Sequence, residues 1–260
     1  MWAARFVVLL TLVITGCAGP TAVTSPSATT SPPVPSPVAA VPSAAVTPAP
    51  SPSGSPQVAC PNRDGGTCLR PLVAGTYSTR TFQPRLTYVL PTGWGNYEDL
   101  PGNFELLPPG FDLAGGDAGT SDYIGVYTHV VAETEECAGP APGAGTTPAG
   151  IGKWLAGQRN LAVTTPRKAS IGGLDGLVLD VTLAKGFKRV VDWSNGRCLI
   201  IGQAPSGLEH GVNPGGSMRL YLLESPVTPG ATLAIEIDDV TGTDALDAYS
   251  AVVKQFGFGR

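Results

Sequence analysis

An α+β fold built on an antiparallel sheet is the class this sequence predicts for residues 58–260. Three observations carry it. Several stretches alternate apolar and polar residues with period two, the mark of half-buried strands. Two stretches, one after Thr147 and one after Thr243, repeat apolar residues at helical spacing. Asn195-Gly196 marks a two-residue hairpin, because both residues tolerate positive φ. Many strands, short turns and few helices make an antiparallel sheet flanked by two or more helices.

The strands follow in chain order. Over 85–90 the alternation puts Leu86, Tyr88 and Leu90 on one face, and over 103–107 it pairs Phe104 with Leu106. In 123–131 the residues Ile124, Val126, Thr128 and Val130 share a face. Leu177, Leu179, Val181 and Leu183 alternate with Val178, Asp180 and Thr182. Met218 to Leu223 is apolar on both faces, as a central strand would be. Leu233, Ile235 and Ile237 alternate with Ala234, Glu236 and Asp238. The Asn195-Gly196 turn joins residues 187–193 to 197–203.

Thr147-Pro148 supplies an N-cap and a first-turn proline, which lacks an N–H that the helix start would leave unpaired anyway. Ile151, Trp154, Leu155 and Gln158 then fall on one face. Near the C-terminus, Thr243 or Asp244 is placed to cap a helix that turns Leu246, Tyr249, Val253 and Phe256 inward.

The N-terminus reads as an export signal over residues 1–16. Arg5 gives a positive start, and the apolar run 6–14 is shorter than the roughly 20 residues a spanning helix needs. Thr15-Gly16 then precedes Cys17. The pattern resembles the lipobox of bacterial lipoproteins, in which the cysteine receives a diacylglycerol and becomes the mature N-terminus. That resemblance implies a palmitate-bearing protein on the extracytoplasmic face of the cell membrane, with the membrane itself as a partner through Cys17. Residues 17–57 follow as a linker. Positions 18–57 hold only Ala, Pro, Ser, Thr, Val and Gly before a final Gln, with eleven prolines and no charge. Such a chain cannot bury enough apolar surface to offset its ordering entropy, so a disordered tether is expected. In extended polyproline conformation it would reach up to ~120 Å. Its Ser/Thr/Pro mixture suits O-glycosylation and equally a bare spacer.

Residues 58–260 form one domain of a size that supports a core. All twenty acidic residues lie there, against fifteen basic ones once Arg5 is set aside. That balance argues against nucleic acid as a partner, since such binding wants a basic footprint. Arg outnumbers Lys eleven to five, a composition that resembles high-GC bacteria such as actinobacteria. Beyond Cys17 the cysteines are Cys60, Cys68, Cys137 and Cys198. An even count in an exported domain implies disulfides. Three pairings are open; Cys60–Cys68 with Cys137–Cys198 is preferred, because the turn-rich 61–67 segment lets the first pair meet.

Leu86-Thr87-Tyr88-Val89-Leu90 runs into Pro91-Thr92-Gly93-Trp94, and the chain ends with an amphipathic helix leading to Val253-Lys254-Gln255-Phe256-Gly257-Phe258. Both features resemble the PsbP-like α/β/α family, which also occurs in actinobacterial lipoproteins. The resemblance implies a PsbP-like sandwich and a binding, assembly or envelope-accessory role, and it implies no catalytic residue. The Gly-rich inserts at 114–120 and 208–217 depart from that pattern.

The known catalytic arrangements are missing. There is no GxSxG elbow, HExxH helix or SxxK pair, and no signal for a cofactor or a metal. A triad hydrolase needs a base, and only His129 and His210 are histidines. His129 falls in a strand and reads as structural. His210 falls in a Gly/Pro-rich loop, where sites often sit, and it reads first as a solvated loop histidine. Gly143-Ala144-Gly145 lacks the strand–loop–helix order of a phosphate loop. Asp238, Asp239 and Asp244 have the carboxylates that calcium favours, but strand-end solvation and helix capping explain them. Glu133, Glu135 and Glu136 read as a solvated loop. Trp94, Tyr97 and Trp193 would hold a sugar or an apolar ligand if they lined one cleft; otherwise the tryptophans fill the core. The expected function is therefore a membrane-anchored, non-catalytic module that binds a small ligand or an envelope protein. The alternatives are a secreted hydrolase centred on His210 and a pure protein–protein interaction domain.

Overall fold

The computed structural model describes residues 70–111, 121–134, 137–187, 197–202 and 209–259. Its elements are β1 (Gly75–Ser78), β2 (Leu86–Leu90), β3 (Gly95–Leu100), β4 (Asn103–Leu107), β5 (Tyr123–Ala132), α1 (Pro148–Ala156), β6 (Leu161–Val163), β7 (Arg167–Ile171), β8 (Leu174–Leu183), β9 (Arg197–Gly202), β10 (Glu209–Val212), β11 (Ser217–Glu224), β12 (Thr232–Asp239), α2 (Leu246–Val253) and β13 (Gly257–Phe258). Among the described residues every strand pairing is antiparallel. The α+β class expected from the sequence is what the structure shows.

The main sheet has ten strands and runs β10-β9-β5-β12-β11-β8-β6, with β7 also on β8 and the β3–β4 hairpin on β5. A small sheet, β1-β2-β13, stands apart. The two residue sets of each central strand feed two separate cores, as alternation demands. Ile124, Val126, Leu233, Ile235 and Ile237 join the small sheet and α2 in the first core. Tyr127, Ala234, Leu220, Leu222 and Leu179 join α1 in the second. Thr147 caps α1 as expected, its side chain accepting the amide of Gly150, and Ile151 and Leu155 are buried beneath it.

Five local expectations are corrected. Val130 does not share a face with Ile124, Val126 and Thr128. His129 is an extra residue in β5 with φ 54°, opposite the register shift between Thr232 and Leu233. A bulge of this kind flips the faces beyond it, so Val130 joins the second core. Next, the helix start at α2 has no side-chain cap: Ala245 occupies the N-cap position. The Asp239 carboxylate instead accepts the backbone amides of Thr243 (2.8 Å) and Asp244 (3.0 Å), so it is a buried loop anchor rather than a solvated strand end. Glu133 is likewise buried, not solvated. Finally, Glu236 and Asp238 do not face water. All eight residues of β12 are buried, because the strand is central and both its faces are covered.

Cys137 is disulfide-bonded. Cys17, Cys60, Cys68, the side chain of Cys198, the linker, and the Asn195-Gly196 turn with the strand before it lie outside the described residues. Among the described residues no helix is long and apolar enough to cross a membrane.

Candidate functional site

The second face of the main sheet carries a buried polar cluster beside its apolar core. Its foundation is one row across three strands, since Glu105 of β4 sits opposite Gly125 of β5, which sits opposite Glu236 of β12. Directly opposed residues share a face, so two carboxylates flank a position with no side chain. The space over Gly125 is taken by the next residue on that face. A Cβ built on Gly125 would lie only 1.9 Å from the hydroxyl of Tyr127. Glycine here is thus what lets the Tyr127 ring fold back along its own strand.

His210 closes over that ring. Their centroids are 3.8 Å apart at an interplanar angle of 32°. Its Nδ1 lies 3.1 Å from Glu236 Oε2, within ion-pair distance but off the line a hydrogen bond needs. The other Glu236 oxygen, Oε1, accepts a 2.6 Å hydrogen bond from the Tyr123 hydroxyl. Below them Asn103 donates to a Glu98 oxygen. The His210 side chain is 9 % exposed and that of Glu236 not at all. His210 Nε2 is buried and has no partner among the described residues.

Burial sets the electrostatics. Glu105 is pushed up to about 8, first by desolvation and then by Glu98 and Glu236. It is therefore a neutral acid, and a donor, at pH 7. Desolvation also raises Glu98, against the pull of His210. Asp238 stands well above the usual carboxylate range through desolvation and the nearby Glu236. Tyr123 and Tyr127 are raised by the same two causes. A neutral Glu105 and the phenols of Tyr123 and Tyr127, gathered near one histidine, make a site that can donate and accept hydrogen bonds without water.

No protein-family model and no curated protein matches this chain. Its likeness to solved structures is weak. The solution structure of cyanobacterial PsbP (CyanoP) from Synechocystis sp. PCC 6803 covers 75 % of this chain and 98 % of its own, at 11 % identity and a TM-score of 0.30.

The residues singled out in the sequence fare unequally. His210 belongs to the cluster, though on a strand and buried rather than in a solvated loop. The alternation of β10 is masked in the sequence by Gly211 and the flanking Gly and Pro residues. Trp94 is 4 % exposed and packs edge-on against Tyr249 of α2, 5.3 Å between centroids, in the first core. It therefore lies on the opposite face of the sheet from His210. Tyr97 sits half-buried at the irregularity of β3. Trp193 lies outside the described residues. Glu98, Glu105, Tyr127 and Glu236 were missed. The one available signal was Glu236 and Asp238 alternating with the apolar residues of a strand. His129 is structural, its Nε2 2.8 Å from Thr228 Oγ1. Among the described residues no three His, Cys, Asp or Glu side chains are placed to hold a metal ion.

Proposed function

We propose that this chain is a lipoprotein anchored through Cys17 to the extracytoplasmic face of the cell membrane. Its domain, a PsbP-like sandwich, is a non-catalytic module that binds a small polar ligand in service of the envelope. One observation carries the binding reading. His210 Nε2 is a polar atom shut away from water with no partner among the described residues. Leaving such an atom unpaired costs about 1–3 kcal/mol, which a ligand's donor or acceptor would offset. The hydrolase alternative draws on the His210–Glu236 pair, an imidazole set beside a carboxylate as in a triad but without the hydrogen bond between them. A triad also needs a nucleophile. The described contacts of His210 are a carboxylate and a phenol ring, which favours binding over hydrolysis.

The test is native mass spectrometry of the protein purified without denaturation from its source cells. A reproducible extra mass, lost on denaturation and absent from His210→Ala, supports the reading. Hydrolysis of ester, glycosidic or peptide substrates that His210→Ala abolishes would replace it. The anchor is tested apart: Cys17→Ser should leave the membrane fraction, and a variant that stays bound at its processed size refutes the lipid.

A further inference from the structure

On the other face of the sheet, between α2 and β7, lies an open groove of about 690 Å³. Its floor is Val178, Arg219 and Tyr221, from β8 and β11. The register explains why Arg219 is there and held still. Asp180 of β8 is its direct cross-strand partner. The carboxylate takes Arg219 Nε at 2.6 Å and Nη2 at 2.9 Å, a two-point fork that fixes the guanidinium plane. Ser250 of α2 accepts from Nη1 at 2.9 Å and is itself tied to the Leu246 carbonyl. The side chain of Arg219 is 13 % exposed, so the cation is largely enclosed where it lines the groove.

Two more cations line the same groove, Arg167 from β7 and Lys254 at the end of α2. Neither has an ion-pair partner within 4 Å among the described residues. What lies among the three is the carboxylate of Asp247. It accepts from Arg219 Nη1 at 2.7 Å. Arg219, then Lys254 and Arg167, hold this carboxyl below its ordinary range. Yet its side chain is 92 % exposed. An exposed pair of this kind contributes little to stability and exchanges readily. Three cations thus converge on one weakly held, solvent-facing anion, in a chain whose net charge is −4.

We propose that this groove binds an anionic small molecule, whose carboxylate or phosphate takes the place that Asp247 holds among Arg219, Lys254 and Arg167. Val178 on the groove floor, with Ala169 and Ile171 beside it, suits an apolar body behind the charged group. Asp247 acts as an internal stand-in: it keeps the guanidinium satisfied when the groove is empty and swings into water when the ligand arrives. The site is independent of the His210 cluster, which lies across the sheet.

The experiment is a titration of the full-length chain with inorganic phosphate, followed by NMR at the Arg219 Nε–H and the amides of Ser250 and Lys254. Potassium chloride at equal ionic strength is the reference. Saturable shifts at these groups are expected with phosphate alone. Removing the stand-in with Asp247→Ala should tighten binding about threefold, the scale of an exposed ion pair. Removing both open cations, Arg167→Ala with Lys254→Ala, should weaken it about tenfold, the scale of lost charged hydrogen bonds. Shifts that chloride reproduces, unchanged or weaker binding in Asp247→Ala, or undiminished binding in the double variant would overturn the proposal.

Discussion

Glu105→Gln should stabilise the protein, and only above mildly acidic pH. Glu105 ionises near 4.5 in an unfolded chain and is pushed up to about 8 by its surroundings in the fold. Below 4.5 the carboxyl is neutral in both states and burial carries no charge penalty. As pH rises from there, the unfolded chain ionises while the folded one keeps its proton. The unfolded state then binds fewer protons, so stability falls with rising pH until the folded group also ionises. At 1.36 kcal/mol per pH unit the loss is ~3 kcal/mol at pH 7 and approaches ~5 kcal/mol above pH 8. These are upper bounds, because Glu105 keeps a half-buried edge in contact with solvent. Glutamine has the shape of the neutral acid and never ionises. Urea unfolding of both proteins at pH 5 and pH 8 measures the difference. The variant should match wild type within ~1 kcal/mol at pH 5 and exceed it by several at pH 8. An equal effect at both pH values, or destabilisation at pH 8, would refute the claim that Glu105 is a strained acid.

Three further outcomes follow from single contacts. Gly125→Ala drives a methyl into the Tyr127 hydroxyl and should cost about 1–3 kcal/mol. In a Tyr127→Ala background the same change should cost almost nothing, so chemical denaturation of the double-mutant cycle must show strong non-additivity. Trp94→Ala removes a core ring and should cost about 3–5 kcal/mol in thermal unfolding; near-native stability would return Trp94 to the candidate ligand contacts. Asp99→Ala strips the acceptor from the amides of Arg80, Thr81 and Phe82, bound at 2.6, 3.1 and 2.7 Å. A loss of about 2–4 kcal/mol with faster hydrogen exchange at those three amides is expected.

Where the chain obeys one local rule, the sequence was readable. The alternation in β2 and β4, the two-faced apolarity of the central strand β11 and the Thr147-Pro148 start of α1 each stand in the structure as their residues suggest. Misreadings arose where a tertiary contact overrode the pattern. A bulge at His129 cannot be seen in an alternation that continues unbroken through it. Thr243 and Asp244 have the right chemistry for an N-cap, yet their amides already bind Asp239 and Asp244 is held at φ 60°. The cluster around His210 was legible only at His210. Glu105 and Glu236 meet through register with Gly125, and register across three strands is a long-range property that no window of sequence contains.

The stability of the sheet gives no reason to keep that cluster. Leu233, Ile235 and Ile237 of β12 already fill the first core, and Ala234 shows that its second face accepts an apolar residue. Apolar side chains at 236 and 238 would spare the fold the desolvation that now raises Asp238 and the tyrosines beside Glu236. Buried ionisable groups of this kind are often no more stable than apolar replacements of equal volume. Gly125 adds a second cost, an entropic one, in the middle of a central strand. Three departures from good core design, Glu105, Gly125 and Glu236, occupy one row; Gly125 makes room for the Tyr127 ring and Glu236 lies beside His210. Local rules are broken together where a site is built, and perturbed carboxyls gather at such sites. This co-location is the physical ground for seeking a ligand at His210 and not at the turn around Pro91, whose Trp94 is buried in the first core.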